Sequence, residues 1–206
     1  MPDLILLAGP NGAGKSTFYE VYLQDSGLPF LNADVVAKEL GLADYEASQA
    51  LDELRDFYIK WQLSFVSETV FSDPVGAKVA MLRAAMEAGF NVRLLFIGVE
   101  SPELAEARVH HRVENGGHPV PQDKIVARYP RSLANLARAV EFVSSVELFD
   151  NSDAENPHRR IAHFEAGALK WKSDETIPGW ARPLPDAYRR STRTQSAGNL
   201  HRRGFR

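Results

Sequence analysis

The sequence predicts an α/β domain in which a five-stranded parallel sheet is flanked by helices. Two observations lead to this prediction. Five short apolar runs alternate with segments of helical periodicity, a pattern typical of a doubly wound sheet with right-handed connections. The first run enters a glycine-rich turn, and acidic residues end or follow the next two runs. Because open parallel sheets bind ligands at the carboxyl ends of their strands, we expect a site at that edge.

The first strand, residues 4–8, is followed at once by Gly9-Pro10-Asn11-Gly12-Ala13-Gly14-Lys15-Ser16-Thr17. This turn has the GxxxxGK[ST] pattern of a phosphate loop, with every fixed position filled. Backbone N–H groups of such a loop, together with the positive end of the following helix, bind the β-phosphate of a nucleotide. The pattern assigns Lys15 to the β- and γ-phosphates, the Ser16 hydroxyl to Mg²⁺ and Thr17 to the α-phosphate.

The elements after the phosphate loop are predicted from periodicity and stop signals. Up to residue 99 they are a helix over 16–24, a strand over 30–32, a helix over 45–63, a strand over 65–69, a helix over 74–88 and a strand over 92–99. After residue 99 we predict a helix from Pro102 to the Gly116-Gly117 break, a short helix from Pro121 that includes Arg128, and a separate helix over 131–144. A fifth strand over 146–150 and a small antiparallel hairpin over 160–171 follow.

Composition predicts one domain, residues 1–181, with a basic tail over 182–206. The chain has 206 residues and no cysteine, which excludes a thiolate metal site or a cysteine nucleophile. With no signal segment or membrane span apparent, we expect a cytoplasmic protein. The tail holds seven arginines and one acid, so it carries +6 and the remainder −9 of the net charge of −3. We expect the tail to be a flexible, solvated extension, and we do not expect nucleic acid as a partner.

Two classes of phosphate-loop protein are excluded by missing motifs. ATPases of ABC transporters need an LSGGQ-type motif and a strand ending in Asp-Glu, whereas Glu100 follows residues 94–99 with no aspartate before it. GTPases recognise their base with Asn-Lys-x-Asp, and residues 150–153 lack the lysine. The class left is the small-molecule kinases, which use ATP, a carboxylate that activates the acceptor hydroxyl and a mobile lid that carries arginines.

Four arginines at positions 108, 112, 128 and 131 surround a turn of glycine and proline, residues 116–121, inside an otherwise acidic body. Guanidinium groups stabilise the charge that develops on a transferred phosphoryl group. We therefore predict a helical lid over about 108–131. Arg108 is expected to bind the nucleotide, and Arg112 and Arg128 are expected to act in transfer. The alternative is that these arginines occupy the solvated faces of two helices.

Four segments resemble the zeta toxins, phosphate-loop kinases whose studied members phosphorylate UDP-N-acetylglucosamine. They are LLAGPNGAGKST at 6–17, FLNADVVA at 30–37, SETVFS at 67–72 and residues 108–136. The resemblance covers roughly residues 4–172 and is closest to the short, often solitary relatives. It implies ATP and Mg²⁺ as cofactors, a nucleotide-sugar acceptor and an antitoxin protein as a candidate partner. It also implies that Asp34 is the general base and that Glu68, with Thr69, binds substrate.

The single residues keep alternative interpretations. Asp34 is also placed to be the N-cap of a helix over residues 35–40, and Glu68 could be an ion-pair partner of Lys15. Asn151 follows the fifth strand, where related kinases pass their backbone beside the adenine, but it could equally belong to a plain turn. For the whole chain, the alternatives are a metabolite or antibiotic kinase with another acceptor, and a nucleotide-gated interaction protein without turnover.

Overall fold

The computed structural model describes residues 1–182 and 184, so the prediction for the basic tail lies almost wholly outside the described residues. The helices are α1 Lys15–Tyr22, α2 Ala33–Leu40, α3 Asp44–Lys60, α4 Ala77–Glu87, α5 Pro102–Glu114 and α6 Gln122–Val140. The strands are β1 Asp3–Ala8, β2 Phe30–Leu31, β3 Phe65–Thr69, β4 Asn91–Gly98, β5 Ser145–Asp150, β6 Arg159–Glu165 and β7 Ala168–Lys172. Within the described ranges, no helix combines the length and the apolar character needed to cross a membrane.

The strands form one sheet in the order β2-β3-β1-β4-β5-β6-β7. The first five strands in this order are parallel, which confirms the predicted α/β fold. The predicted number of five strands is wrong, because the sheet has seven. The hairpin of β6 and β7 turns at Ala166-Gly167 as predicted, but it also pairs antiparallel with β5 and so extends the same sheet. The physical reason is that the outer edge of β5 would otherwise leave backbone N–H and C=O groups unpaired.

The two faces of the sheet are covered by separate apolar clusters, because alternate residues of a strand point to opposite faces. Leu4 and Leu6 of β1 belong to one cluster with buried residues of α3 and α4. Ile5 and Leu7 belong to the other cluster with buried residues of α1 and α5. Helix α6 contributes to both, through Leu136 and Ala139 to the first cluster and through Ile125 and Tyr129 to the second. This helix therefore connects the two layers.

The prediction of two helices between Pro121 and residue 144 is wrong, because α6 is continuous through Pro130. A proline inside a helix lacks the N–H that would bond to the carbonyl four residues earlier. Pro130 lies on the exposed side of α6, where water can satisfy that carbonyl. The neighbouring Ala127 carbonyl accepts a hydrogen bond from Arg131 Nε at 2.9 Å. The helix tolerates the proline at this exposed position.

Candidate functional site

The phosphate loop is supported from behind by the segment that follows β5. Gly14 has a φ of +87°, a conformation that favours glycine, and an added Cβ there would collide with Nδ2 of Asn151. The buried Asn151 amide donates to the Ala13 carbonyl at 2.8 Å and accepts from the N–H of His158 at 3.2 Å. His158 Nε2 lies 3.3 Å from the Gly14 carbonyl, and burial lowers the pKa of this histidine. Two side chains from beyond β5 thus fix the shape of the loop.

Lys15 begins α1 and is buried, with 6% of its surface exposed. Its Nζ donates to the Pro10 carbonyl at 3.1 Å and lies 3.6 Å from Oε1 of Glu68. Burial lowers the pKa of Lys15, whereas Glu68 and, more weakly, Asp34 oppose that shift. Arg112 adds to the lowering. The charges of Glu68, Asp34 and Arg112 are therefore all close enough to act on this one ammonium group.

Asn32, not Asp34, is the N-cap of α2, so the alternative interpretation of Asp34 as a cap is wrong. Oδ1 of Asn32 accepts from the N–H of Asp34 at 2.7 Å and of Val35 at 3.3 Å. An N-cap side chain takes up two otherwise unpaired donors in this way, and asparagine is among the best residues for it. Asp34 lies in the first turn with an exposed side chain that lines the cleft. In the described part of the chain its carboxylate has no hydrogen-bond or ion-pair partner.

The Glu68 carboxylate at the end of β3 is held between two partners. Oε2 accepts from Nδ2 of Asn32 at 2.8 Å, and Oε1 faces Lys15 as described above. Asn32 therefore has two tasks, because its oxygen caps α2 while its nitrogen fixes Glu68. Thr69 follows Glu68 and lines the same cleft, and its Oγ1 accepts from the N–H of Phe71 at 3.1 Å. The ion-pair alternative for Glu68 is thus observed, and it is compatible with a role in substrate binding.

A buried arginine of α3 fixes the carboxyl ends of β2 and β3. Arg55 is 2% exposed; its Nε donates to Ser67 Oγ at 2.8 Å and its Nη2 donates to the Glu68 carbonyl at 2.7 Å. Ser67 in turn donates to the Leu31 carbonyl at 2.9 Å. Asp52 completes the group by pairing with Arg55 at 2.7 Å and also with Lys78. Burial lowers the pKa of Arg55, an effect that Asp52 opposes.

The predicted lid corresponds to α5, the N-terminal half of α6 and the turn between them, and its arginines differ in what they contact. Nη1 and Nη2 of Arg108 donate to the carbonyls of Asn151 and Ser152, at 2.5 and 3.4 Å. Arg112 Nη2 donates to the His118 carbonyl at 2.8 Å. Arg128 lines the cleft and, among the residues that the structure describes, makes no side-chain hydrogen bond or ion pair. Its guanidinium is thus the least constrained of the three.

Most of these groups border one cleft of about 1030 Å³ at the carboxyl edge of the parallel strands. Eight basic and four acidic side chains line it, so its charge is opposite to that of the acidic body. The basic residues are Lys15, Arg55, Lys78, Arg108, Arg112, Lys124, Arg128 and Arg131, and the acidic residues are Asp34, Asp52, Glu68 and Asp73. Such a concentration of positive charge favours a polyanionic ligand.

The cleft fits a nucleotide phosphate and Mg²⁺ by its donor set. Glycines at three positions of the phosphate loop, 9, 12 and 14, have positive φ, and a Cβ at each would collide with Ile97, Ala105 or Asn151, so the loop shape that presents its N–H groups requires glycine there. The exposed Ser16 side chain lines the cleft beside Lys15. Over residues 1–182 and 184 no group of three or more His, Asp or Glu side chains could hold a metal. Mg²⁺ commonly uses one or two protein oxygens plus substrate phosphates and water, which suits this arrangement.

Most of the predicted site residues line this cleft, whereas three important side chains were not predicted. Asn32 immediately precedes α2, and its position before the helix was a usable signal. Arg55 falls on the apolar stripe of α3 between Leu54 and Tyr58, and a charged residue on such a stripe indicates a buried ion pair or hydrogen-bond role. His158 gave no local signal, because its partner Gly14 is 144 residues away. The predicted adenine contact of Asn151 stays a prediction.

Comparisons with known proteins agree with this fold. A family model described as an AAA domain matches residues 4–135. An uncharacterized protein of Haemophilus influenzae is 32% identical over 130 residues, which are 61% of this chain and 91% of that protein.

Two solved structures share the fold at low identity. One, from the PezAT chromosomal toxin-antitoxin system of Streptococcus pneumoniae, has a TM-score of 0.52 and 16% identity over 91% of this chain and 78% of that chain. The other, AvrRxo1-ORF1:-ORF2 with ATP, has a TM-score of 0.56 and 17% identity over 91% of this chain and 63% of that chain. The matched family model covers more than half of the chain and shows that this phosphate-loop protein belongs to the AAA domain family.

Proposed function

We propose that this chain is an ATP- and Mg²⁺-dependent kinase that transfers the γ-phosphoryl group to a hydroxyl of a small molecule. The observation that carries the proposal is the single cleft in which Lys15, Asp34 and Glu68 meet the lid arginines. Its volume of about 1030 Å³ is at the upper end of the roughly 300–1,000 Å³ typical of ligand pockets, which suits a nucleotide together with an acceptor.

The phosphate-binding role falls to the loop and to Lys15. Phosphoryl transfer is catalysed mainly by positioning and by electrostatic stabilisation, because little covalent chemistry is required of the protein. Lys15 binds the β- and γ-phosphates, and Thr17 contacts the α-phosphate through the first turn of α1. Ser16 holds Mg²⁺, which neutralises charge on the phosphate oxygens when it is bound.

Asp34 orients the acceptor hydroxyl and accepts its proton. Its exposed carboxylate lines the cleft and is close enough to Lys15 to act on that charge. A loose transition state requires only late proton transfer, so an ordinary carboxylate is basic enough. Glu68 and Thr69 bind the acceptor beside it, with the Glu68 carboxylate oriented by Asn32.

Arg112 and Arg128 stabilise the charge that develops on the transferred group. Both line the cleft. The charge of Arg112 lowers the pKa of Lys15, which supports a position of Arg112 near the phosphates. Arg108 supports nucleotide binding by holding the segment after β5. A guanidinium that acts mainly in the transition state raises kcat more than it strengthens nucleotide binding.

The acceptor is a nucleotide-sugar such as UDP-N-acetylglucosamine, as the resemblance to the zeta toxins implies. The likeness in fold to a protein of a toxin-antitoxin system supports an antitoxin protein as a candidate partner. A metabolite or antibiotic with another hydroxyl is the alternative acceptor.

Incubation with labelled ATP and a metabolite extract, followed by mass identification of the new phosphate ester, tests the proposal. UDP-N-acetylglucosamine is supplied separately, and Lys15→Ala serves as the inactive control. A phosphorylated product that depends on Lys15 supports a kinase and identifies its acceptor. Tight ATP binding without transfer to any acceptor would instead favour a nucleotide-gated interaction protein.

A further inference from the structure

Two polar side chains of α6 are buried against the loop that follows β3. Ser132 is fully buried and Asn135 is 2% exposed. Buried polar groups require hydrogen-bond partners, and the donor groups of these two bond to one short segment, residues 70–73, while Asn135 Oδ1 accepts from Arg138 Nη1 at 3.3 Å. Ser132 Oγ donates to the Val70 carbonyl at 2.6 Å. Asn135 Nδ2 donates to the carbonyls of Phe71 at 3.1 Å and Asp73 at 2.9 Å.

The segment 70–73 is strained and borders the cleft directly after Glu68 and Thr69. Phe71 has a φ of +60° and is 1% exposed. A bulky residue adopts this left-handed conformation only where its surroundings impose it, and such outliers concentrate at functional sites. Ser132 and Asn135 donate to the carbonyls of this segment, and Thr69 accepts from the N–H of Phe71. These bonds hold Phe71 in its left-handed conformation.

The same face of α6 carries a cation of the candidate active site. Arg128, Ser132 and Asn135 are spaced by four and three residues, which places them on one side of a helix. With a rise of about 1.5 Å per residue, Arg128 lies about 6 Å along the axis from Ser132. Because α6 is continuous through Pro130, one helix connects the lid to the wall of the cleft formed by residues 70–73.

We propose that Ser132 and Asn135 are positioning residues for phosphoryl transfer. They hold residues 70–73 at a fixed distance from Arg128. The acceptor bound beside Glu68 and the guanidinium of Arg128 then keep one relative position. This inference rests on the proposed kinase function and adds a coupling between the acceptor side of the cleft and the lid. It predicts that loss of either side chain impairs use of the acceptor and spares the binding of ATP.

Kinetics of Ser132→Ala and Asn135→Ala test this coupling. We expect kcat/KM for the acceptor to fall by about tenfold to a hundredfold for Asn135→Ala, since small displacements of a bound reactant have effects of this size. Ser132→Ala loses one bond and should show a smaller fall. ATP affinity, measured by calorimetry, should change by less than about twofold in both, because the phosphate loop is untouched. The double variant Arg128→Ala/Asn135→Ala should lose less than the product of the single losses.

Matched controls are Ser145→Ala and Asn91→Ala, which remove comparable bonds to His163 and Asp3 at the opposite edge of the sheet. Both should keep wild-type kinetics. Equal losses of ATP affinity and acceptor use in the Ser132 and Asn135 variants, or additive effects with Arg128→Ala, would overturn the inference.

A readout without turnover separates this inference from the proposed function. Amide hydrogen exchange should accelerate over residues 70–73 in Asn135→Ala and stay unchanged over residues 9–17. If the wild type phosphorylates nothing, the proposed function fails, whereas exchange still decides whether Asn135 holds residues 70–73 in place. Unchanged exchange over residues 70–73 would refute that role even in an active enzyme. Should Asn135→Ala fail to fold, the milder Ser132→Ala carries the same comparison.

Discussion

Replacing Asn32 by aspartate should separate its two tasks. Aspartate caps a helix as well as asparagine does, so Oδ1 can still accept from the N–H groups of Asp34 and Val35. The other side-chain atom changes from an N–H donor into a second carboxylate oxygen. It then faces Oε2 of Glu68, which lies 2.8 Å from the present nitrogen. The variant therefore places two like charges in contact where a hydrogen bond stands now.

Protonation limits the cost of this contact. Two unit charges 2.8 Å apart repel by about 6 kcal/mol at an effective dielectric constant of 20. Binding one proton at pH 7 to a carboxyl of ordinary pKa near 4 costs only about 4 kcal/mol, at 1.36 kcal/mol per pH unit. The pair should therefore share a proton. Since the folded state then binds a proton that the unfolded state has lost, stability falls as pH rises from about 4, reaching a loss of about 4 kcal/mol at pH 7.

Urea unfolding of the wild type, Asn32→Asp and Asn32→Ser between pH 4 and pH 7 measures this effect. Serine also caps helices, but it lacks the amide donor and adds no charge, so it should cost about 1–3 kcal/mol with little added pH dependence. A free-energy difference between Asn32→Asp and wild type that is the same at both ends of this range would refute the assigned contact with Glu68.

Three further substitutions test the phosphate loop and the base. Lys15→Ala should abolish transfer measured with labelled ATP, because it removes the cation assigned to the β- and γ-phosphates. Gly14→Ala should weaken ATP binding in calorimetry and lower stability by about 1–2 kcal/mol or more, since its φ of +87° disfavours a side chain and the new Cβ would collide with Asn151. Asp34→Asn should preserve the thermal midpoint and ATP affinity while nearly stopping transfer, because an amide cannot accept the proton.

Each of these predictions has a contrary outcome. Wild-type turnover in Lys15→Ala would show that the phosphate loop is not the working site. Normal ATP affinity in Gly14→Ala would mean that the loop adjusts independently of Asn151. Unimpaired transfer in Asp34→Asn would show that Asp34 is not the base. Because Asn32 caps α2, the substitution is not expected to change the thermal midpoint in either case.

Local patterns predicted much of the fold because its elements are set by periodicity within a few residues. The third strand was predicted with its observed bounds, Phe65–Thr69, and the phosphate loop lies between β1 and α1 as its motif requires. Pro130 misled the prediction, because a proline ends most helices but is tolerated on a solvated face. The hairpin of β6 and β7 was recognised, whereas its pairing with β5 depended on a contact between elements.

The sequence predicted which side chains gather at one edge of the sheet where a motif was contiguous, and it missed contacts between distant residues. Glu68 lies at the carboxyl end of β3, and Asp34 and Lys15 come in the turns and first helical residues after β2 and β1, so parallel order brings them to one edge. The alternative that Asp34 caps α2 was two residues too late, because both Asn32 and Asp34 are favoured caps and only the backbone decides between them. The role of Arg55 depends on which carbonyls end β2 and β3 beside α3, and local periodicity carries no such information.

The dependence of the phosphate loop on Asn151 has a consequence for how the chain matures during synthesis. The bond from Asn151 to Ala13 joins residues 138 positions apart, and the contact of His158 with Gly14 spans 144 positions. The loop leaves the ribosome well before its supporting side chains, which emerge only after β5 has been made. Domains fold from the N-terminus as they are synthesised, and long-range contacts close late. We therefore expect the phosphate loop to reach its final shape only after the segment that follows β5 has docked against it.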